Sequence, residues 1–543
     1  MENRLKKLKN SDNPVNMAAL PLIAQQNMIE KHNFVGVSGA YNGASKKRRT
    51  IKEFVPKTGD ADADSLKDLQ TLRDRSRSLL RNTPIASGAI RTNQVHVIGS
   101  GLKVQSRINA EAVGMGEDQA DKWQQKTELE FNSWAESLDC DINRGKNFYD
   151  YQNLVFRSIL ESGDCFVLPL FEEISTMNYG LRLQAIEADR IENPHNRPDT
   201  TTLAGGIEKN KKGTPKKYWI RTQHPGAEST PIERKWDSIS AFTGNGRRKI
   251  IHIYEQLRPG QSRGIPYLAP VIEMLHQLGK YTDAELQSAV ISSYFTVFVT
   301  TPDGGGNFST FLPSDEGGDA DDEDYRMGSG AIVGLAEGEE ISTANPGRPN
   351  AAFDPFVQSL LRQIGASLGL PFELLIQHFT KSYSAARTAM LNAWKVFLTR
   401  RSFMVNHFCN IVYELWMEEA VLRERIIAPG FLTDPLLRKA FLGNLWIGPA
   451  AGQIDPTKET TAAQARVDGF FSNISIESAA MGIDFDQNVK QIKREQAKLA
   501  EIREIMSPVK PATPAVSGEV DDLNEEVDNP LNEETDDDTK KQS

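Results

Sequence analysis

Cysteine is scarce in this chain, with only Cys140, Cys165 and Cys409 among 543 residues. Thiols this few and this far apart give no disulfide framework and no zinc spacing, and a reducing compartment fits them best. Long apolar runs are missing as well. The longest, AVISSYFTVFV at 289–299, is broken by serines and falls well short of the ~20 residues a spanning helix needs, so no membrane span is expected. The N-terminal lysines are followed by only a brief apolar patch, MAALPLIA, without a convincing cleavage site, and no secretory signal is read there. The phosphate cradle GxxxxGK[ST] is absent, as are HExxH and GxSxG, and the eight histidines show no metal-binding spacing. These absences weigh against an ATPase, a zinc hydrolase or a serine hydrolase without excluding every enzyme. No cofactor is expected.

What is present is an ordinary soluble composition, 39% hydrophobic and 25% charged. The chain is long enough for about two to four packed units. Its net charge of -10 is unevenly placed: residues 1–55 are basic, with KKRR at 46–49, whereas SDEGGDADDED at 314–324 and the tail after Pro514 are acidic. Charge runs of this kind are usually solvated chain. The acidic balance argues against a tight, nonspecific DNA binder.

DADADSLKDLQT, 60–71, spaces carboxylates like a calcium loop, but Ser65 stands where the turn glycine belongs and Thr71 where the bidentate acid belongs. A helix N-cap is the better reading. Apolar residues from Leu66 to Ile90 then recur at helical spacing and break at Pro84, which predicts two helices. QVHVIGSGLKVQSRI, 94–108, alternates about a Gly-Ser-Gly turn and predicts a hairpin. A helix over 118–136 puts Trp123, Phe131 and Trp134 in a core. Another, through FYDYQNLVFRSILESG, leads to the strand-like runs DCFVLPLF, LRLQAIEADRI, KKYWIRTQ and KIIHIYE, a mixed helix-and-sheet body.

RPGQSRGIPYLAP, 258–270, sets prolines, glycines and arginines directly before a helix. Pro259, Pro266 and Pro270 restrict φ and disfavour helix in the residues before them, so a stiff turn is expected. Arg258 and Arg263 are expected to pair with carboxylates of the body or of a neighbouring copy. Val271, Met274, Leu275, Leu278, Leu286, Ala289 and Val290 then predict a helix over 267–293, ~40 Å long. YFTVFVTT reads as a strand, GAIVGLAEGEEIST as two short strands, and Phe353 to Leu368 as a second helix. A small β insert would thus sit at the end of two helical legs. The carboxylates at 319–324 are read as a solvated loop in preference to an ion site.

Pro371 ends the second helix, polar residues Gln377 to Ser382 interrupt the pattern, and helical spacing resumes at Ser384. At this elbow Lys381 and Arg387 facing a phosphate backbone and a plain interhelical loop are both open readings. A long helix follows to about Arg423, with Met390, Trp394, Phe397, Leu398, Val405, Phe408, Val412 and Leu415 on a face that is core or subunit contact. Beyond IDPTKE more helix runs to 506, and Pro508, Pro511 and Pro514 close the folded part.

Several strings fall in a telling order: LRDRSRSLLRNTP (72–84), VIGSGLKVQS (97–106), IEADRIENP (186–194), GIE (206–208), IIHIYEQLRPGQSRGIPYLAPVIEML (250–275), LGLPFELL (368–375), YSAAR (383–387) and IDPTKE (454–459). Together they resemble a phage portal protein of the lambda family over about 40–505. The resemblance implies an α+β, multi-domain portal fold that assembles as a ring, a dodecamer as in the family: 1–60 a flexible basic N-terminal arm, 61–265 an α/β wing, 266–295 and 350–370 the stem helices, 296–349 a β clip carrying the acidic loop, 371–383 the tunnel loop, 384–465 a long helix and wing return, 466–507 a helical crown and 508–543 a disordered acidic tail. It implies a channel for double-stranded DNA at one capsid vertex. The implied partners are further copies of the chain, the terminase large subunit, the major capsid protein or scaffold, and the head-tail adaptor. Gln377, His378, Thr380, Lys381, Ser382 and Arg387 become tunnel-loop candidates, and Arg258, Pro259, Arg263, Pro266 and Pro270 the wing–stem corner. The elbow departs from the family's usual asparagine, tyrosine and two serines before the arginine: Ser382 precedes Tyr383, and Ala385 replaces the second serine. A packaging ATPase or nuclease, and a capsid-associated scaffold or adaptor without a DNA channel, are the alternatives.

Overall fold

The computed structural model describes residues 41–227, 234–293, 297–300, 340–343, 352–378, 383–452 and 456–506. The Asp60 carboxylate accepts the Ala63 amide and caps α1 (Ala61–Asn82), so DADADS is a helix start. Pro84 occupies the first turn of α2 (Pro84–Val97), where its missing N–H leaves no bond unmade. The hairpin expected over 94–108 does not form. In a strand Val95 and Val97 would share a face, yet Val95 is exposed and Val97 buried, as the turn of a helix requires. Only β1 (Lys103–Ser106) is strand, and it pairs antiparallel with Asn444–Ile447 from far along the chain.

In α3 (Glu117–Ala135) Phe131 and Trp134 are buried. Asn147 caps α4 (Phe148–Ser162), whose apolar stripe faces the same core. Gly163 ends α4 at φ +92° and passes the chain straight into β2 (Asp164–Phe171). β3 (Leu181–Ile186) follows, then the meander β4 (Leu203–Ala204), β5 (Ile207–Lys209), β6 (Pro215–Arg221) and β7 (Trp236–Ser240), and finally β8 (Ile251–Tyr254). The first sheet has the order β3-β2-β8, all antiparallel, and the second β4-β5-β6-β7. Phe166, Ile186, Ile207, Tyr218 and Ile220 make a small core shared by strands of both sheets.

A 3-10 turn at Ala269–Val271 leads into α5 (Ile272–Ser293). Its first half is rooted: Ile272, Leu275 and Leu278 are buried, whereas Leu286 and Val290, expected on the same apolar stripe, are exposed. β9 (Val297–Thr300) and β10 (Glu340–Thr343) pair antiparallel. α6 (Phe353–Leu368) lies against α5, with Tyr281 stacked on Phe353 at 5.5 Å and edge-on to Phe356 at 5.3 Å. Then come α7 (Phe372–Leu375), α8 (Tyr383–Met404), a π-helical turn at Val405–Cys409, α9 (Asn410–Leu422), α10 (Pro435–Phe441) and β11 (Asn444–Ile447), the partner of β1. The long helix expected from Ser384 is therefore interrupted by one wide turn. Ala393, Phe397, Met404 and Phe408 take its buried side, and Leu398, assigned to that side from sequence, is exposed.

The fold divides into two units, residues 1–460 and 461–543, with α11 (Pro456–Asp468) spanning the division. In the second unit α12 (Ile474–Ala480) is capped by Asn473 and followed by α13 (Phe485–Met506); Arg466 grips Glu477 through bonds of 2.9 and 2.6 Å. Residues 1–40 of the basic arm, the acidic loop 314–324, the first of the two strands expected in GAIVGLAEGEEIST, and the tail 508–543 lie outside the described residues.

Candidate functional site: the corner before the first leg

Four sets of contacts hold 258–270 between β8 and α5. The first is internal. The Gln261 amide donates to the Arg258 carbonyl across Pro259-Gly260 at 3.2 Å, and Gly260 sits at φ +83°, the position of a type II turn that suits glycine. The Gln261 side chain closes the loop: its oxygen accepts the Leu257 and Arg258 amides, and its nitrogen donates to the Arg263 carbonyl at 2.7 Å.

The second set comes from the first turn of α1. Asp62 accepts the Ser262 amide at 2.7 Å and the Lys209 ammonium at 3.3 Å, and the Ser262 hydroxyl also donates to it. Arg258 donates to Asp64 at 2.6 Å and to the Gly59 carbonyl at 3.1 Å. Both partners of the Arg258–Asp64 pair are about half exposed, so it contributes only about 0–1 kcal/mol.

The third set is a buried ionic hub. Arg263, 2% exposed, donates from Nε to Asp164 at 2.5 Å, from Nη1 to the Ile191 and Gly205 carbonyls at 2.7 Å each, and from Nη2 to the Ala188 carbonyl at 2.7 Å. Its guanidinium also lies over the Phe166 ring, 5.0 Å from the centroid. Asp164, wholly buried at the start of β2, takes a second guanidinium from Arg73 of α1 at 2.8 Å, while Arg73 Nε donates to the Ser162 carbonyl. His252 of β8 places Nε2 3.4 Å from the same carboxylate and is stacked between Phe166 and Tyr254. One carboxylate thus joins α1, β2, β8 and the corner.

Backbone contact completes the join. Gly163 and Gly264 touch so closely that a Cβ built on Gly264 would lie 1.9 Å from the Gly163 carbonyl oxygen. Tyr267 donates its amide to Leu160 at 3.0 Å and its hydroxyl to the Leu368 carbonyl at the end of α6, with the Arg400 guanidinium 4.3 Å from its ring centroid. The roots of the two legs are therefore tied to each other. Pro266 is buried beside this join, and Pro270 lies in the 3-10 turn that starts α5.

Burial works against the Asp164 charge, but Arg263 and Arg73 overcome it and hold the carboxyl well below the usual range. Burial lowers Arg73 to about 10, still charged at neutral pH. Burial likewise lowers His252 to about 4, against the opposing pull of Asp164. A histidine with a depressed folded pKa binds fewer protons folded than unfolded between its two values, so stability falls as pH drops from about 6.5 toward 4. Unfolding midpoints at pH 7 and pH 5 are expected to differ more in the native chain than in His252→Gln; equal differences would count against this account.

The elbow is less gathered. Phe372–Leu375 is helical, with Glu373, Leu374 and Leu375 buried, which takes the first part of 371–383 into the body. Gln377, at φ +54°, and His378 are exposed. Thr380, Lys381 and Ser382 lie outside the described residues. Arg387 stands 3.7 Å from Glu459 of the IDPTKE string, so this cation has a carboxylate beside it. The structure brings Arg258, Pro259, Arg263, Pro266 and Pro270 into one corner, and Gln377, His378 and Arg387 are outside the hydrogen bonds just described. Sequence reasoning missed Asp62, Gly163, Asp164 and Tyr267. Asp164 alone carried a signal, because a carboxylate opening an apolar strand has to find a partner.

Among the described residues, Glu187, Asp189 and His224 bring ligand-type atoms within 4.8 Å of one another. Asp189 already receives Arg77 and, at 2.9 Å, Gln70. A guanidinium occupying the same carboxylate competes with any cation, and the group reads as an ion-pair network.

Residues 47–401, which include the corner, both legs and the elbow, match the family described as phage portal protein, lambda family. The chain belongs to that family. This portal chain is 24% identical to Portal protein B of Escherichia phage lambda over 495 residues, 87% of this chain and 92% of that protein. It is 24% identical to the portal protein of Escherichia phage N15 over 479 residues, 84% of this chain and 90% of that one. Among solved structures, a chain from the neck of a native gene transfer agent particle superposes loosely, with a TM-score of 0.42 and 12% identity over 75% of this chain and 93% of that chain. The function is that of a portal protein of a tailed phage. No helix among the described residues is long and apolar enough to cross a membrane.

Proposed function

We propose that identical copies of this chain join head to tail into a closed ring, a dodecamer as the family resemblance implies, at one vertex of the capsid. Double-stranded DNA enters through its bore during packaging and leaves through it during infection. In this reading 61–265 is the wing, 266–295 and 350–370 the stem, 296–349 the clip, 371–383 the tunnel loop and 466–507 the crown. The terminase large subunit, the capsid protein or scaffold, and the head-tail adaptor dock on the ring's outer surfaces. The observation that carries the reading is the family match across the corner and both legs.

Physical chemistry supports it in two ways. A heterologous contact closes into a circle only if the rotation between copies is fixed, and a corner held by a buried ionic hub and a glycine–glycine contact fixes the angle at which the first leg leaves the body. A conduit also has to let its cargo slide. Each phosphate bound by Lys or Arg adds a salt-sensitive increment of affinity, and a chain of net charge -10 keeps that sum small.

Purified protein is expected to show annular particles with a duplex-wide hole by electron microscopy. Particles with a solid centre, or a monomer under all conditions that favour association, would overturn the reading. Duplex binding measured by fluorescence anisotropy is expected to be weak, to have no sequence preference and to fade as salt rises from 0.05 to 0.2 M. Nanomolar affinity at physiological salt would contradict a conduit.

A further inference from the structure

The basic segment before α1 leaves its own body uncovered. Tyr41, Phe54 and Val55 are 81%, 74% and 78% exposed, three large apolar side chains within one short segment. Between and beside them stand Lys46, Lys47, Arg48, Arg49, Lys52 and Lys57, against which only Glu53 and Asp60 are acidic. The segment's own hydrogen bonds are short-range turns at 41–55, and Arg258 reaches back only to Gly59 at its end. Apolar anchors next to a block of cations form one half of an interface.

The other half is present on the body. Trp123 of α3 donates to the Ile427 carbonyl at 2.8 Å and its ring meets Phe441 of α10 at 5.2 Å, so the first turns of α3 adjoin the loop 423–434 and α10. That loop and helix expose Ile427, Leu432 and Leu436, at 69%, 48% and 79%. Beside them the exposed start of α3 carries Glu117, Asp118 and Asp121. An apolar patch flanked by Glu117, Asp118 and Asp121 matches in chemistry an apolar segment flanked by cations.

We propose that the segment Tyr41 to Pro56 of one copy docks on the surface formed by the start of α3, the loop 423–434 and α10 of a second copy. The inference rests on the ring reading above, in which each copy has a neighbour within reach. A strap of this kind adds contact outside the legs and steers encounter through opposite charges. Exposed anchors favour a protein surface over nucleic acid, because phosphates would engage the cations and leave Tyr41, Phe54 and Val55 in water.

Introducing Phe54→Cys and Ile427→Cys together in the full chain tests this. The native thiols do not compete: burial pushes Cys140 and Cys165 up to about 12 and Cys409 higher still. Mild oxidation is expected to give a ladder of covalently joined chains on a non-reducing gel, collapsed by a thiol reductant, with either single substitution giving none. An internal disulfide, seen as a monomer of altered mobility, would place the segment on its own body and overturn the proposal. Annular particles by microscopy without a ladder would overturn it while leaving the ring reading intact, whereas loss of both would sink the ring reading too. Charge reversal at Lys46, Lys47, Arg48 and Arg49 to Glu is expected to lower the ladder yield about tenfold, and adding Glu117→Lys, Asp118→Lys and Asp121→Lys to restore it in part. Reduced duplex-DNA binding with an unchanged ladder would instead make the segment a nucleic-acid contact, against the proposal.

Discussion

Asp164→Ala is expected to lower the stability of the unit spanning residues 1–460 by about 3–5 kcal/mol, read as a large fall in its denaturant midpoint followed by tryptophan fluorescence. The substitution removes little volume. What it removes is the carboxylate that Arg263 and Arg73 share in a buried site, where each guanidinium is under about 5% exposed in its side chain. Two charges left together in low dielectric repel each other and lose their hydration without return. Arg258→Ala supplies the contrast, since its pair with Asp64 is half exposed and its loss is expected to cost no more than about 1 kcal/mol. Equal effects of the two substitutions would mean that the hub does not hold the corner.

The second large effect is expected from Gly264→Ala. Its new Cβ would fall 1.9 Å from the Gly163 oxygen and 2.5 Å from the Gly163 carbon, both backbone atoms that cannot rotate away. Either the corner opens or β2 and α4 move, at about 2–4 kcal/mol from overpacking and strain. Where the chain still folds, the leg leaves at another angle, and electron microscopy is expected to show open arcs or irregular particles in place of closed rings. Gly260→Ala is the control: Gly260 has a positive φ, +83°, which Gly264 lacks, but no atom lies within 4 Å of its new Cβ, so the substitution costs about 1–2 kcal/mol of backbone strain and leaves ring closure alone. Closed rings from Gly264→Ala would remove the corner from any part in setting the assembly.

Local signals were legible in the sequence because their causes are local. Asp60 as a cap, the break at Pro84, the helix at Phe148–Ser162 and the strands after it all follow from residues within a few positions of one another. The pairing of Arg258 and Arg263 with carboxylates was also legible, since buried or clamped arginines require them. Which carboxylates was not: Asp164 and Arg263 are 99 positions apart, and Asp62 meets Ser262 across 200. The same blindness explains β1. Gly-Ser-Gly looks like a hairpin turn to any short window, and the true partner of Lys103–Ser106 is Asn444–Ile447. At the elbow, burial of Glu373, Leu374 and Leu375 depends on helices that arrive from elsewhere, so a polar loop and a packed turn read alike.

The first leg is anchored over only part of its length. Beyond Leu278, the last buried position among the described side chains of α5, about 15 residues continue to Ser293, about 22 Å at 1.5 Å per residue, with Tyr281 resting on α6. A helix is stiff, so a tilt at its base is magnified with distance: 5° of error there displaces the far end by about 2 Å, enough to misalign whatever two neighbours must bring together at that tip. Precision at the far end is thus set at the pivot, where Arg73, Asp164 and Arg263 are buried together.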